Sequence, residues 1–325
     1  MSATEPAPAV VTRDGKQSGG SVVSETIDGG ITFKSPEGAE TTFKHGDYTV
    51  EYKSPGDDVD FMKAERSLAA KDHAKAIESY RAAGAKSKYE WVRQTCAIAV
   101  ALCAQALKKP DDGIAAILGF EKEFPKSVRM PEALLIKARL LAEKGDKAEA
   151  VKVLTVLAGH DKDWGVREAA KGAIGLGEIQ VSEQKFAETA TMLAPWMPKL
   201  ARFPDEFATI GLLLARAQAG NNAVPTAMDT LRQVAFAPTE SDVQARAHLE
   251  WSKLLAAKGG LEDLLSSFDH AAIAASPKGV DGGLRGEALK LAKDVVAKIV
   301  AASPGNEDAK NKVKIEYTNY LGKLQ

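Results

Sequence analysis

The feature that most constrains this 325-residue chain is a pattern of side-chain size repeated along most of its length. From residue 64 onward a small residue is followed twelve positions later by another small one, and four positions beyond that by a large apolar one. The triplets are Ala64/Ala76/Tyr80, Ala104/Ala116/Phe120, Ala138/Ala150/Leu154, Gly177/Thr189/Leu193, Ala215/Ala227/Leu231 and, in degraded form, Ser252/Leu264/Phe268. Their first members lie 34 to 40 residues apart. Around them run Ala/Leu/Lys/Glu-rich segments of 3.6-residue periodicity, so the pattern predicts antiparallel helix pairs. Small residues fall where two helices cross closely, and the bulky residue plugs the adjoining pair.

In spacing and residue type these triplets resemble tetratricopeptide (TPR) repeats. The clearest copy runs Ala138-Arg-Leu-Leu141, Gly145-Asp-Lys-Ala-Glu-Ala150 and Leu154, and Leu176-Gly177 matches the family's Leu-Gly pair. The stretch Phe120-Glu-Lys-Glu-Phe-Pro-Lys-Ser127 resembles the inter-repeat link of bacterial envelope TPR proteins. The resemblance implies a mostly α fold, a TPR-like α-solenoid of about six to seven helix pairs over residues 57–283. A last pair, about 284–302 and 305–322, has no clean triplet and is expected to cap the array, residues 284–325 in all.

Before the helices the pattern changes. Residues 9–54 are rich in β-branched residues with period-2 alternation, punctuated by turn signals at Asp14-Gly15, Asp28-Gly29-Gly30, Ser35-Pro36-Glu37-Gly38 and His45-Gly46-Asp47. Five short strands are expected at about 9–13, 20–27, 31–34, 39–44 and 48–53, after a flexible tail over residues 1–8. Five such strands close most economically into a small barrel, with a two-layer sheet resting on the helices as the fallback. The segment resembles the SH3-like or Sm-like barrels that bacterial proteins place before helical repeats. An RNA-binding barrel would be basic, whereas residues 1–55 carry three more acidic than basic side chains. Ser54-Pro-Gly-Asp-Asp58 ends the strands and offers a helix start.

Charge and cysteine usage exclude several classes of function. With 43 Lys+Arg against 44 Asp+Glu, the chain lacks the basic surplus of a nucleic-acid or anionic-membrane binder. Cys96 and Cys103, seven residues apart on a predicted helix, have Cα atoms roughly 10 Å apart, too far for a disulfide. Free thiols suit a reducing compartment, and residues 1–10 show no secretory leader or lipid-attachment cysteine, so a cytoplasmic protein is expected, with the periplasm left open. The longest apolar run, Cys96 to Leu107, is too short to span a bilayer.

No catalytic constellation is evident, and neither an enzyme, a cofactor nor a metal is expected. Gly172-Ala-Ile-Gly175-Leu-Gly177 has the wrong order for a dinucleotide fingerprint and follows no strand, so close helix packing explains it better. His248-Leu-Glu250 opens like a zinc-deaminase motif, but no Pro-Cys-x-x-Cys follows. His45, His73, His160, His248 and His270 are scattered, and Cys103 reads as a buried, inert thiol. Asp161-Lys-Asp163-Trp164 reads as a loop and helix cap, with Trp164 anchoring the fourth repeat.

What remains is the face presented by the first helix of each pair. The resemblance places the residue after each small position on a partner-binding groove: Glu65, Gln105, Arg139, Glu178, Arg216 and Lys253, with Arg246 beside the last. Basic residues in copies three, five and six suit an acidic segment of a protein partner. The asparagines of the family's chaperone-tail clamp are missing from these positions. The expected function is therefore a non-enzymatic scaffold. Its rival is a self-assembling subunit stacking head to tail, since residues 285–325 carry three more basic than acidic side chains, opposite to the N-terminal surplus.

Overall fold

A computed structural model describes residues 7–26, 30–44, 48–53, 58–239, 241–276 and 280–324. The chain divides into two compact units, residues 1–172 and 173–325. The expected start of the N-terminal tail, the turns at 27–29 and 45–47 and the linker at 54–57 lie outside the described residues.

Unit 1 begins with five strands: β1 (Ala7–Arg13), β2 (Lys16–Glu25), β3 (Ile31–Lys34), β4 (Glu40–Phe43) and β5 (Thr49–Tyr52). They form one antiparallel sheet in the order β4-β3-β2-β1-β5. Asp14 and Gly15 both have positive φ, 52° and 74°, the two-residue turn whose twist suits a hairpin, and it pairs Arg13 with Lys16. β2 consequently starts at Lys16 rather than residue 20. Gly19 and Gly20 lie inside this strand, and position 20 requires glycine because a Cβ there would stand 2.3 Å from the Lys34 carbonyl oxygen. Alternation buries Ala7, Ala9, Val11, Val22, Ile31 and Phe33 on one face, where Trp91 from the helices joins them. β4 and β5 stand at opposite ends of the strand order, so the described pairing is that of a sheet and includes no barrel closure.

The helices of unit 1 are α1 (Val59–Ala69), α2 (His73–Lys86), α3 (Glu90–Ala106), α4 (Pro110–Glu123), α5 (Met130–Lys144), α6 (Lys147–Gly159) and the first part of α7 (Val166–Ser182). Unit 2 holds the rest of α7, then α8 (Phe186–Leu193), the single turn α9 (Trp196–Lys199), α10 (Pro204–Gly220), α11 (Val224–Ala235), α12 (Ser241–Lys258), α13 (Leu261–Ala275), α14 (Gly282–Ala302) and α15 (Glu307–Leu324). This is a TPR-like fold of helix pairs behind a small β module. Between α6 and α7, Trp164 stacks on the His160 ring at 4.5 Å.

One turn recurs between the helices of a pair. Lys71, Lys108, Gly145, Gln184, Asn222 and Gly259 all adopt left-handed φ, between 56° and 93°. In the first five the next residue's amide donates to a carbonyl five positions back, as in Asp72 to Ser67 and Asp146 to Leu141. That is Schellman closure, which satisfies the last carbonyls of the first helix and reverses the chain. Asp72 and Asp146 then cap the second helix by accepting from the amides of Lys75 and Glu149.

The turn corrects the register of the second copy. In copies one, three, four, five and six the left-handed residue stands seven positions after the small crossing residue, whereas Lys108 stands four after Ala104. The equivalent triplet is therefore Ala101/Gly113/Ile117, and the first members become 37 to 39 residues apart. Gly113 lies at the crossing, where a Cβ would meet the Ala101 carbonyl oxygen at 3.2 Å and Leu140 at 2.7 Å. Ala104 and Phe120 are buried as well, because three residues is nearly one helical turn along the same face.

The degraded sixth copy also has a physical account. Ser252 and Ser267 are fully buried where α12 crosses α13. Each hydroxyl donates to the other residue's carbonyl, at 2.7 Å and 2.8 Å, so two small polar side chains replace the apolar contact without an unpaired group. We expect Ser252→Ala and Ser267→Ala each to cost about 1 kcal/mol in urea unfolding, with the double variant costing less than the sum. Strict additivity would show the serines uncoupled.

Candidate partner-binding face

In unit 1 the residues after the crossing positions are Glu65 on α1, Leu102 on α3 and Arg139 on α5. All three are exposed. Leu102 takes the place expected for Gln105, and with 44% of its surface open it adds an apolar group to the face. Gln105 lies one turn on and donates from Nε2 to Glu143 of α5, tying two first helices together. Glu65 accepts from the Tyr80 hydroxyl at 2.7 Å, which anchors its carboxylate against the first repeat core. Arg139 has no hydrogen-bond or ion-pair partner among the described residues.

In unit 2 Glu178 is exposed on α7, and Arg216 on α10, Arg246 and Lys253 on α12 converge with two acids that the repeat pattern did not reveal. Glu250 of α12 takes Arg216 at 3.2 Å and Lys253 at 3.1 Å, while Glu287 of α14 takes Lys253 at 2.9 Å. Burial alone would lower the Lys253 pKa, but hydrogen bonds and charges from Glu287 and Glu250 outweigh it and raise the pKa. Glu287 is correspondingly lowered, first by its hydrogen bond to Lys253, with Arg246 and Arg216 contributing by charge. The charged side chains thus form a ladder across α10, α12 and α14, with three positive against two negative groups. Arg246 makes no direct ion pair among the described residues.

A second cluster in unit 2 joins residues that look scattered in the sequence. His248 and His270 meet Nδ1 to Nδ1 at 2.9 Å between α12 and α13. His270 also stacks on Trp251 at 4.1 Å, and Phe236 meets His248 edge-on at 6.2 Å. Burial lowers both imidazole pKa values, and with the His248 charge opposing it His270 falls to about 4. Among the described residues no group of three or more His, Cys, Asp and Glu is placed to hold a metal ion. Cys96 and Cys103 are buried free thiols, and burial, with smaller contributions from Asp58 and Glu65, pushes Cys96 up to about 12. Such a thiol stays protonated at neutral pH. Among the described residues no helix is long and apolar enough to cross a membrane.

No protein-family model matches the chain, and no curated protein matches it significantly. Solved structures do match. The C-terminal part of a TPR repeat-containing protein from Cytophaga hutchinsonii is 17% identical, with a TM-score of 0.44 over 77% of this chain and 98% of that one. A TPR repeats protein from Bacteroides fragilis is 15% identical, with a TM-score of 0.28 over 82% of this chain and 100% of that one. The TPR2AB domain of yeast Sti1, in a complex with a pHSP90 component, is 15% identical, with a TM-score of 0.29 over 76% of this chain and 98% of that one.

Proposed function

We propose that the protein is a scaffold that holds a protein partner against the first-helix faces of its repeats, with an acidic segment of the partner meeting the α10–α12–α14 ladder. The observation that carries this reading is the cationic surplus of the ladder, with Arg246 uncommitted beside Glu287. Paired cations hold their neighbours in place, and the uncommitted one remains for an incoming carboxylate.

The test is cross-linking capture from the native cell, followed by a variant that spares the internal pairs. Arg139→Glu combined with Arg246→Glu should lose the captured partner while keeping wild-type helicity and Tm, because exposed charges add little to folding. Salt should act in the same direction, since the Debye length falls from about 10 Å at 0.1 M to about 3 Å at 1 M. Undiminished capture by the double variant at low salt refutes the reading.

A second reading, head-to-tail self-assembly, is favoured by one observation. Between α14 and α15 lies an open groove of about 550 Å³ floored by Val296, Val300 and Leu321 and flanked by Lys293 and Lys314. Such a groove suits the acidic N-terminal module of another copy. Light scattering decides this: Lys310→Glu, Lys312→Glu and Lys314→Glu together should lower the mass of an assembly, and an unchanged mass refutes the electrostatic form of this reading.

A further inference from the structure

The N-terminal sheet ends at β4, whose one substantial neighbour among the described residues is β3. Ser35 donates its amide to the Ala39 carbonyl at 2.8 Å, which fixes the alternation of the β3–β4 ladder. Hydrogen-bonded pairs then fall at Phe33 with Thr41 and at Ile31 with Phe43. The backbone of Glu40 and Thr42, and of Lys44 one step past the strand, is therefore directed away from β3. Among the described residues no hydrogen bond answers it there.

Native proteins blunt such an edge with proline, a bulge or an isolated charge. β4 contains no proline, and its pairing with β3 runs without a register shift. Because Phe43 turns to the core of the module, Glu40, Thr42 and Lys44 share the opposite face, where all three are exposed. Their order is acid, threonine, base. Lys44 has no hydrogen-bond or ion-pair partner among the described residues, and Glu40 has a long 3.9 Å contact to Lys34.

That order is self-complementary. An antiparallel copy of the same strand, centred on Thr42, sets Glu40 against the partner's Lys44 and Lys44 against the partner's Glu40. Outward backbone then meets outward backbone at three residue pairs, with two hydrogen bonds each and an ion pair at either end. Sliding by two residues, the next register of the same parity, keeps two of these pairs and neither ion pair. β5, at the other edge, is less suited. Lys53 donates to the Pro8 carbonyl, so within β5 Val50 and Tyr52 carry the outward backbone, and both side chains pack on the core of the module.

We propose that the β4 edge pairs with the β4 edge of a second copy, joining two sheets into one across a two-fold axis at Thr42. Such a contact closes at two copies. With three residue pairs it belongs to the small, transient class of interfaces. It is separate from head-to-tail stacking, which uses α14 and α15.

Sedimentation equilibrium of the full-length protein, from about 10 μM to about 1 mM, should show a reversible monomer–dimer equilibrium, since transient pairs form in that range. Lys44→Glu sets like charges opposite each other at both ends and should weaken the dimer about tenfold. Adding Glu40→Lys to Lys44→Glu restores opposite charges and should recover most of the loss. Thr42→Pro removes the central outward amide and no bond to β3, so it should stay monomeric with helicity and Tm unchanged. In the wild type, hydrogen exchange at the Thr42 amide should slow as concentration rises. The variant carrying Lys310→Glu, Lys312→Glu and Lys314→Glu, which disables head-to-tail stacking, should dimerise like the wild type. A monomer at every concentration, Thr42 exchange independent of concentration, no recovery in the charge-swapped variant, or loss of the dimer in the C-terminal variant would overturn the proposal.

Discussion

Gly172→Ala should destabilise the protein by about 2–3 kcal/mol in urea unfolding, although alanine is the better helix former. A Cβ on Gly172 of α7 would stand 2.7 Å from the Ala158 amide nitrogen and 2.9 Å from the Leu154 carbonyl oxygen of α6. Both are backbone atoms of a packed helix and cannot rotate away. α6 must therefore separate from α7 and lose contacts made by Leu154 and Leu157, which are buried in the core. Gly119→Ala in α4 is the matched control, since nothing lies within 4 Å of the added methyl. That variant should gain up to about 1 kcal/mol from helix propensity alone. Similar behaviour of the two variants would show that α6 and α7 do not cross at Gly172.

Acid should weaken unit 2 through the His248–His270 pair. One imidazole donates and the other accepts across 2.9 Å, so a second proton would set N–H against N–H. His270 titrates near 4 in the folded protein against an ordinary 6.5, so between those values the unfolded chain binds more protons than the native one. The pair's contribution is therefore complete above pH 6.5 and is lost progressively as pH falls toward 4. Because His270 is only half-buried, solvent screening reduces the loss to about 2 kcal/mol. His270→Gln should flatten this part of the stability curve. Carboxylates with lowered pKa values, such as Glu287, act at lower pH, below their ordinary 4.5. An equally steep fall in the variant between pH 6.5 and 4 would assign the effect elsewhere.

Several features of the fold were legible in the chain because they depend on neighbours at fixed spacing. The triplets Ala64/Ala76/Tyr80 and Ala138/Ala150/Leu154 are buried as expected, since side-chain size at a helix crossing is a local demand that recurs with each pair. The turn at Gly145-Asp146 could be read directly, because glycine marks a left-handed residue. Its counterparts at Lys71, Lys108 and Gln184 could not, because nothing in those side chains announces positive φ. That silence let the second copy slip by a turn, and with it Gln105 stood in for Leu102.

The amino-acid sequence by itself determined a small β module followed by helix pairs, because hydrophobic period and residue size act over a few tens of residues. It also named cations on first-helix faces. Tertiary structure alone decided which acids answer them, since Glu250 reaches Arg216 across 34 positions, and His248 meets His270 across 22. The physical reason is shared by these cases. Periodicity specifies which face of an element is buried, but which side chains meet across that face depends on the angle and register at which the elements pack, set by the summed contacts of the surrounding core.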